Sequence, residues 1–156
     1  MSIDSREYRT TMGLFATGVT VITARAGEET RGMTANAVTS VSLDPLLLLV
    51  CVDRRAHMAG VIVEAGRFAV NILRADQERI SRHFAGRPDP ALTPHFTDLA
   101  GAPILAESLA CLVCAVDRVL DGGDHIIVIG RVEALRRADD PGTPLIYYRG
   151  RYHLAA

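Results

Sequence analysis

Five short segments of the 156-residue chain hold residue types able to recognise a small molecule or act on one. The first covers 32–42, where Gly32, Thr34, Ala35, Asn36, Ala37, Val38, Thr39, Ser40 and Ser42 replace the bulky alternation of an ordinary strand. Small residues give up strand packing, but they let a flat ring lie against the chain while peptide N–H and C=O groups read its polar edge. The isoalloxazine of a flavin, with O2, N3–H and O4 along one edge, is a ring of that kind. A hydroxyl-rich edge strand without any ligand has the same composition.

The second segment, Asp53-Arg54-Arg55-Ala56-His57, puts cations beside an expected helix start, where free N–H groups and the helix dipole favour a phosphate. Read plainly it is a solvated basic turn. In the third, Ser81, Arg82, His83, Phe84 and Ala85 end a helix; Ser81 and the two basic residues can reach a phosphate or ribityl chain, and Phe84 reads as a core anchor. The fourth, Gly122-Gly123-Asp124-His125, is a turn delivering a histidine, which beside a flavin can donate a hydrogen bond or position a nicotinamide, and which otherwise is a polar residue flanking a turn. The fifth, 147–152, alternates Tyr147, Tyr148, Tyr152 with Arg149 and Arg151, a pattern suited to a stacked base and a diphosphate, or to a closing strand with exposed cations.

Several other chemistries find no support. Cys111 and Cys114 form a C-x-x-C in a strand-like run, where residues three apart face opposite sides and do not converge on a metal. The five histidines lack zinc-ligand spacing. A G-x-G-x-x-G turn, a phosphate-binding P-loop and a G-x-S-x-G elbow are all missing, so any nicotinamide would bind without a dinucleotide-binding α/β sheet.

The elements that must carry these segments are mostly strands. Asp4-x-x-Glu7 reads as a helix start, with Tyr8, Met12 and Phe15 at helical spacing and a stop at Gly18. Strands are expected over 19–24, 32–43, 46–52 (buried on both faces), 68–73, 109–120, 125–135 and 145–148, with helices over 56–65 and, capped by Asp76, through Phe84. The proline-rich stretch 87–103 reads as a long surface loop. Uneven strands joined by turns, without strict βαβ alternation, point to a single mainly β domain, a closed antiparallel barrel with short flanking helices. Half the residues are hydrophobic (49%), enough for a core without disulfide or metal. A net charge of −1 argues against nucleic acid as a partner. The start lacks a signal-peptide layout and the longest apolar run, 46–52, is far below the ~20 residues of a membrane helix, so a cytoplasmic protein with reduced cysteines is expected.

Taken in order, these pieces resemble the short-chain flavin reductase family, the split-barrel reductase components of two-component flavin monooxygenases. The resemblance rests on Met12-Gly13-x-Phe15-Ala16-Thr17-Gly18, the stretch from Gly32 to Pro45, Gly66-Arg67-Phe68-Ala69-Val70-Asn71, Ser81-x-x-Phe84-Ala85, Asp121-Gly122-Gly123-Asp124-His125 and Tyr148-Arg149-Gly150-x-Tyr152. It implies a six-stranded antiparallel Greek-key split barrel forming a homodimer. It also implies hydride transfer from NADH or NADPH to FMN or FAD, with reduced flavin passed to a separate oxygenase. By residue, it places the flavin edge on Thr34, Ala35, Asn36, Ala37, Val38, Thr39 and Ser40. The phosphate-contacting turn falls on Asp53, Arg54 and His57, and a further flavin contact on Ser81, Phe84 and Ala85. His125 matches the position at the reacting face, and Arg149 and Tyr152 match nicotinamide-nucleotide positions. Two departures stand out: Leu46 replaces a second proline after Pro45, and Met58 replaces a hydroxyl residue able to reach phosphate. Other readings of such a barrel are an oxidase resembling pyridoxamine phosphate oxidases, or a flavin- or heme-binding module without turnover.

Overall fold

The structure is a computed structural model that describes residues 2–140 and 142–155. Helix α1 (Ser5–Met12) begins where the Asp4 carboxylate accepts a hydrogen bond from the Glu7 N–H at 2.7 Å. It stops at Gly13, short of the expected Gly18. None of its residues is buried, so no apolar stripe prolongs it, and Thr17–Gly18 instead form a short strand, β1.

Strands β2 (Thr20–Ala26), β3 (Glu29–Ala35), β4 (Val38–Leu43), β5 (Leu46–Asp53), β6 (Arg67–Ile72), β9 (Ala110–Gly122) and β10 (His125–Arg137) build one antiparallel sheet. Its order is β3-β2-β6-β9-β10-β5-β4. The expected single strand over 32–43 is thus two strands, broken at Asn36 and Ala37. Both are edges of the sheet and follow one another in the chain, so the sheet must curl until its ends lie a two-residue link apart. It holds seven strands, not six, and is not closed.

Inside the curl, Ile22, Val50, Val52, Phe68, Val70 and Val128 form the main core, with Met58, Val61 and Ile62 of α2 (His57–Ala65) packed on it. Strand β5 is fully buried on that inner face only. Leu47, Leu49 and Cys51 on the outer face are half-buried, contrary to the sequence expectation of burial on both faces. The C-x-x-C thiols lie in different core clusters, and burial pushes the Cys114 thiol up to about 12.

The stretch expected as a surface loop contains a hairpin, β7 (Phe96–Leu99) with β8 (Ala102–Leu105). The buried Asn71 explains it. Its carbonyl accepts from the Leu105 N–H at 2.8 Å, and its amide donates to Val21 O at 2.8 Å and Thr23 Oγ1 at 2.9 Å. A buried amide so satisfied draws a backbone segment under the sheet, and Ala102, Pro103, Ile104 and Leu105 become buried. A 3-10 turn (Ala75–Gln77) precedes α3 (Glu78–His83), so Asp76 lies inside that turn and does not cap the helix. Finally β11 (Leu145–Tyr148) pairs with β1 and with β12 (Arg151–Leu154) in a small second sheet.

Candidate functional site

Edge strands leave peptide groups without a strand partner, and β3 and β4 are the two edges of the main sheet. Helix α3 docks against one of them. The Thr34 N–H donates to Phe84 O at 3.0 Å, and the Thr34 hydroxyl donates to Ser81 O at 2.6 Å. Gly32 is required for this docking, because a Cβ there would stand 2.7 Å from the Phe84 ring. The Ser81 hydroxyl, itself buried, shares a hydrogen bond of 2.7 Å with the Tyr152 hydroxyl of β12. Three segments far apart in sequence are thereby tied at one point.

Two clefts open there. The smaller, about 200 Å³, is lined by Thr34, Ala35, Asn36, Ser81, Ala85 and Tyr152, with Val19 and Tyr147. The larger, about 560 Å³, runs under β4 past Asn36, Val38 and Ser40 to an apolar wall that includes Phe15, Leu48 and Leu112. Asn36 and Val19 line both. Seven of the residues expected at the flavin, Thr34, Ala35, Asn36, Val38, Ser40, Ser81 and Ala85, thus border this pair of clefts, together with Tyr152, expected at the nicotinamide nucleotide. Ala37 and Thr39 do not: both are exposed, and since Val38 and Ser40 face the cleft, Thr39 stands on the opposite face of β4. Phe84 packs below, edge-on to Phe96, as an anchor of α3.

Asp53, Arg54, His57 and His125 do not line either cleft but gather next to them: the Cys51 N–H donates to Ala37 O at 3.1 Å, and two residues on, where β5 ends, Asp53 sits opposite His125 of β10. Arg54 is tied to the turn before His125. Its N–H donates to Asp124 O at 3.0 Å and its Nε to Gly123 O at 2.9 Å, and its guanidinium pairs with Asp121. The Asp124 carboxylate lies 2.7 Å from His125 Nδ1, and that imidazole holds it below the usual carboxylate range. Asp53 is held down to about 2, first by the hydrogen bond from the Arg55 side chain and then by the Arg55 N–H. His57 opens α2, whose N-cap residue Ala56 supplies no side-chain acceptor to the first helical N–H groups. Arg149 occupies the β11–β12 turn at φ 52°, with its N–H donating to Gly13 O at 2.8 Å, and lines a separate hollow with Tyr148, Arg151 and His153. It does not border the clefts at Asn36.

Tyr147, one of the aromatics of the fifth segment, lines the small cleft, and residues outside the sequence expectation also line the site: Val19 and, on the larger cleft, Phe15 and Thr17. Only the fold reveals them, since β1 and β12 meet through β11.

A flavin can be tested against this geometry. The larger cleft falls within the roughly 300–1,000 Å³ of small-molecule sites. Thr17 Oγ1, on its wall, is buried without a hydrogen-bond partner among the described residues, an orphan that a polar ring atom would satisfy. With bare peptide edges beside it, the residues fit a planar ring with polar edges.

Comparisons with known proteins agree. The flavin reductase like domain matches residues 12–156. The 4-hydroxyphenylacetate 3-monooxygenase reductase component of Thermus thermophilus is 42% identical over 93% of both chains. An NADH-dependent flavin reductase of a Rhodococcus species is 43% identical over 92% of this chain and 82% of its own. The solved structure of the flavin reductase PheA2 in its native state superposes with a TM-score of 0.94 at 40% identity, covering 99% of each chain. A matching domain over nearly the whole length, and relatives this similar, place the chain in the flavin reductase family.

Proposed function

We propose that the chain is an NADH:flavin oxidoreductase that reduces FMN or FAD and hands the product to a separate oxygenase. The observation that carries this reading is the convergence of Thr34, Ala35, Asn36, Ser81, Ala85 and Tyr152, from three distant segments, on one cleft at the open edge of the sheet. The relative described as NADH-dependent favours NADH over NADPH, and the one described as a monooxygenase reductase component favours a partner oxygenase.

Bound flavin and nicotinamide supply the redox chemistry, a hydride passing from the nicotinamide to the flavin ring, so the protein's part is position and electrostatics. Peptide groups on β3 and β4 hold the polar edge of the ring, and Asn36 marks where ring and cleft meet. The Asp124 carboxylate accepts from His125 Nδ1–H, fixing the tautomer and leaving Nε2 to hold the nicotinamide at the reacting face. The uncapped start of α2, beside His57 and Asp53, offers N–H groups to a phosphate.

The working form is a homodimer. Leu43 and Phe15, 84% and 71% exposed at the mouth of the larger cleft, and the half-buried outer face of β5 need a cover that one copy does not supply. Cys51, Cys111 and Cys114 as free thiols suit the reducing cytoplasm.

One assay tests the reading: NADH and NADPH consumption followed by absorbance with FMN, FAD and riboflavin in turn. Turnover with NADH and at least one flavin is expected. Protein that keeps a flavin bound but never oxidises the nicotinamide would be a binding module and would end the proposal.

A further inference from the structure

Beside the small cleft lies another of about 490 Å³, lined by Glu78, Arg82, Ala85, Arg87, Tyr147, Gly150, Arg151 and Tyr152. Ala85, Tyr147 and Tyr152 border both, so the two are continuous. Three arginines face one glutamate there. Arg82 gives two hydrogen bonds to the Glu78 carboxylate, at 3.1 and 2.7 Å, and lays its guanidinium 5.0 Å from the centre of the Tyr152 ring. Arg87 and Arg151 are exposed and form no ion pair among the described residues. Two positive charges therefore stand uncompensated around a concave site whose floor is aromatic.

The other basic segment is differently placed. The guanidinium of Arg54 is engaged by Asp121 and Gly123 O, and that of Arg55 by Asp53. Neither arginine has its planar fork free for a ligand, whereas Arg87 and Arg151 do.

From this placement we propose that the Arg82–Arg87–Arg151 cleft is an anion subsite holding the phosphate tail of a nucleotide whose ring lies at Asn36, where the small and larger clefts meet. The inference rests on the reductase reading, because it takes the neighbouring clefts as the ring site. Arginine suits the role: its planar guanidinium binds phosphate oxygens in pairs and stacks on aromatic faces. Two ligands of the reaction carry such a tail, the flavin nucleotide and the nicotinamide dinucleotide. The shared chemistry is the phosphate group, and the test separates the sources.

The variants are Arg87→Ala, Arg151→Ala, the pair together, and Arg151→Lys as the conservative control. Binding of riboflavin, FMN and FAD is measured by flavin fluorescence without nicotinamide, and KM for NADH is measured with riboflavin as acceptor, so that only the nicotinamide carries phosphate. If the tail belongs to the flavin, the double variant weakens FMN or FAD by about tenfold or more relative to riboflavin. If it belongs to the nicotinamide, KM for NADH rises by a similar factor while flavin binding holds. Either shift should shrink at high salt and be partly restored in Arg151→Lys. Flavin affinities and KM all within twofold of wild type would overturn the subsite, and so would an equal fall for riboflavin and FMN, which marks a change of shape. Wild-type protein that neither binds riboflavin nor oxidises NADH fails the reductase reading before any variant is compared.

Discussion

At the residue scale, charge placement around His125 makes the sharpest statements. Asp53, opposite His125 in the strand pair, is held at about 2 instead of its ordinary 3.8 by Arg55. A carboxylate lowered in the folded state contributes stability above its unfolded value of about 4, and loses it as pH falls toward 2. Asp53 therefore stays charged throughout the range in which an imidazole titrates. Arg55→Ala should raise the Asp53 midpoint toward the ordinary carboxylate value, read by NMR titration; an unmoved midpoint would remove Arg55 as the cause. Arg54 acts on the histidine through the turn. Because its guanidinium ties Asp121 to Gly123 O, Arg54→Ala, which keeps the backbone bond to Asp124 O, should raise KM for NADH about five- to thirtyfold, the loss of side-chain hydrogen bonds worth about 1–2 kcal/mol. Combined with His125→Ala it should add nothing further, since both changes remove one function. A phosphate ligand would behave otherwise: FMN affinity would fall while riboflavin affinity held.

At the scale of elements, the close crossing of β6, β9 and β10 is the tightest constraint. A Cβ on Gly130 would stand 2.6 Å from the Phe68 ring and 2.7 Å from Cys114 Cβ, both fully buried. Gly130→Ala should therefore destabilise by about 1–3 kcal/mol, seen as a lower Tm, and Phe68→Leu on that background should recover part of the loss. A Gly130→Ala protein as stable as wild type would mean that the core yields more than its packing suggests. Much of this architecture was legible in the sequence. The β-branched run at 19–24, the apolar run at 46–52 and the long strands flanking Gly122 and Gly123 all form where their local pattern says. What stayed hidden depends on long-range partners. Nothing near 96–105 announces that Asn71, some thirty residues back, will pull Leu105 under the sheet. The Asn36–Ala37 break is likewise invisible, because a strand that ends as one sheet edge and resumes as the other keeps the same composition throughout. Thr34, Asn36, Ser81 and Tyr152 could be singled out by residue type and family resemblance. Val19 and Thr17 could not, being ordinary strand-like residues that line the clefts only because the β1–β11–β12 sheet lies beside them.

At the scale of the whole molecule, the proposed homodimer rests on apolar side chains that one copy leaves exposed or half-buried. Register places Leu49 opposite Ile129 and Cys51 opposite Ile127, and Ile127 opposite Leu120, so these side chains share the outer face of β5, β9 and β10. Leu43, Leu46 and Leu135 form a second exposed apolar patch along the larger cleft, with Leu43 opposite Leu46 in the β4–β5 pairing. A stable homodimer needs about 1,200–2,000 Å² of buried area. His125 and Asp53 stand on the same outer face as Ile127 and Cys51, so a second copy seated there would border them and limit their access to water. Two substitutions test the cover independently. Leu43→Arg in the patch and Ile127→Arg on the face each bring a charge into apolar surface, where an unpaired ion is costly to desolvate. Analytical ultracentrifugation should show wild type as a dimer and at least one variant as a monomer with unchanged far-UV circular dichroism. If the dimer also shelters His125, the Ile127→Arg monomer should keep its affinity for flavin yet turn over NADH more slowly. Wild type sedimenting as a monomer, or both variants remaining dimeric, would show that this apolar surface is not where the copies meet.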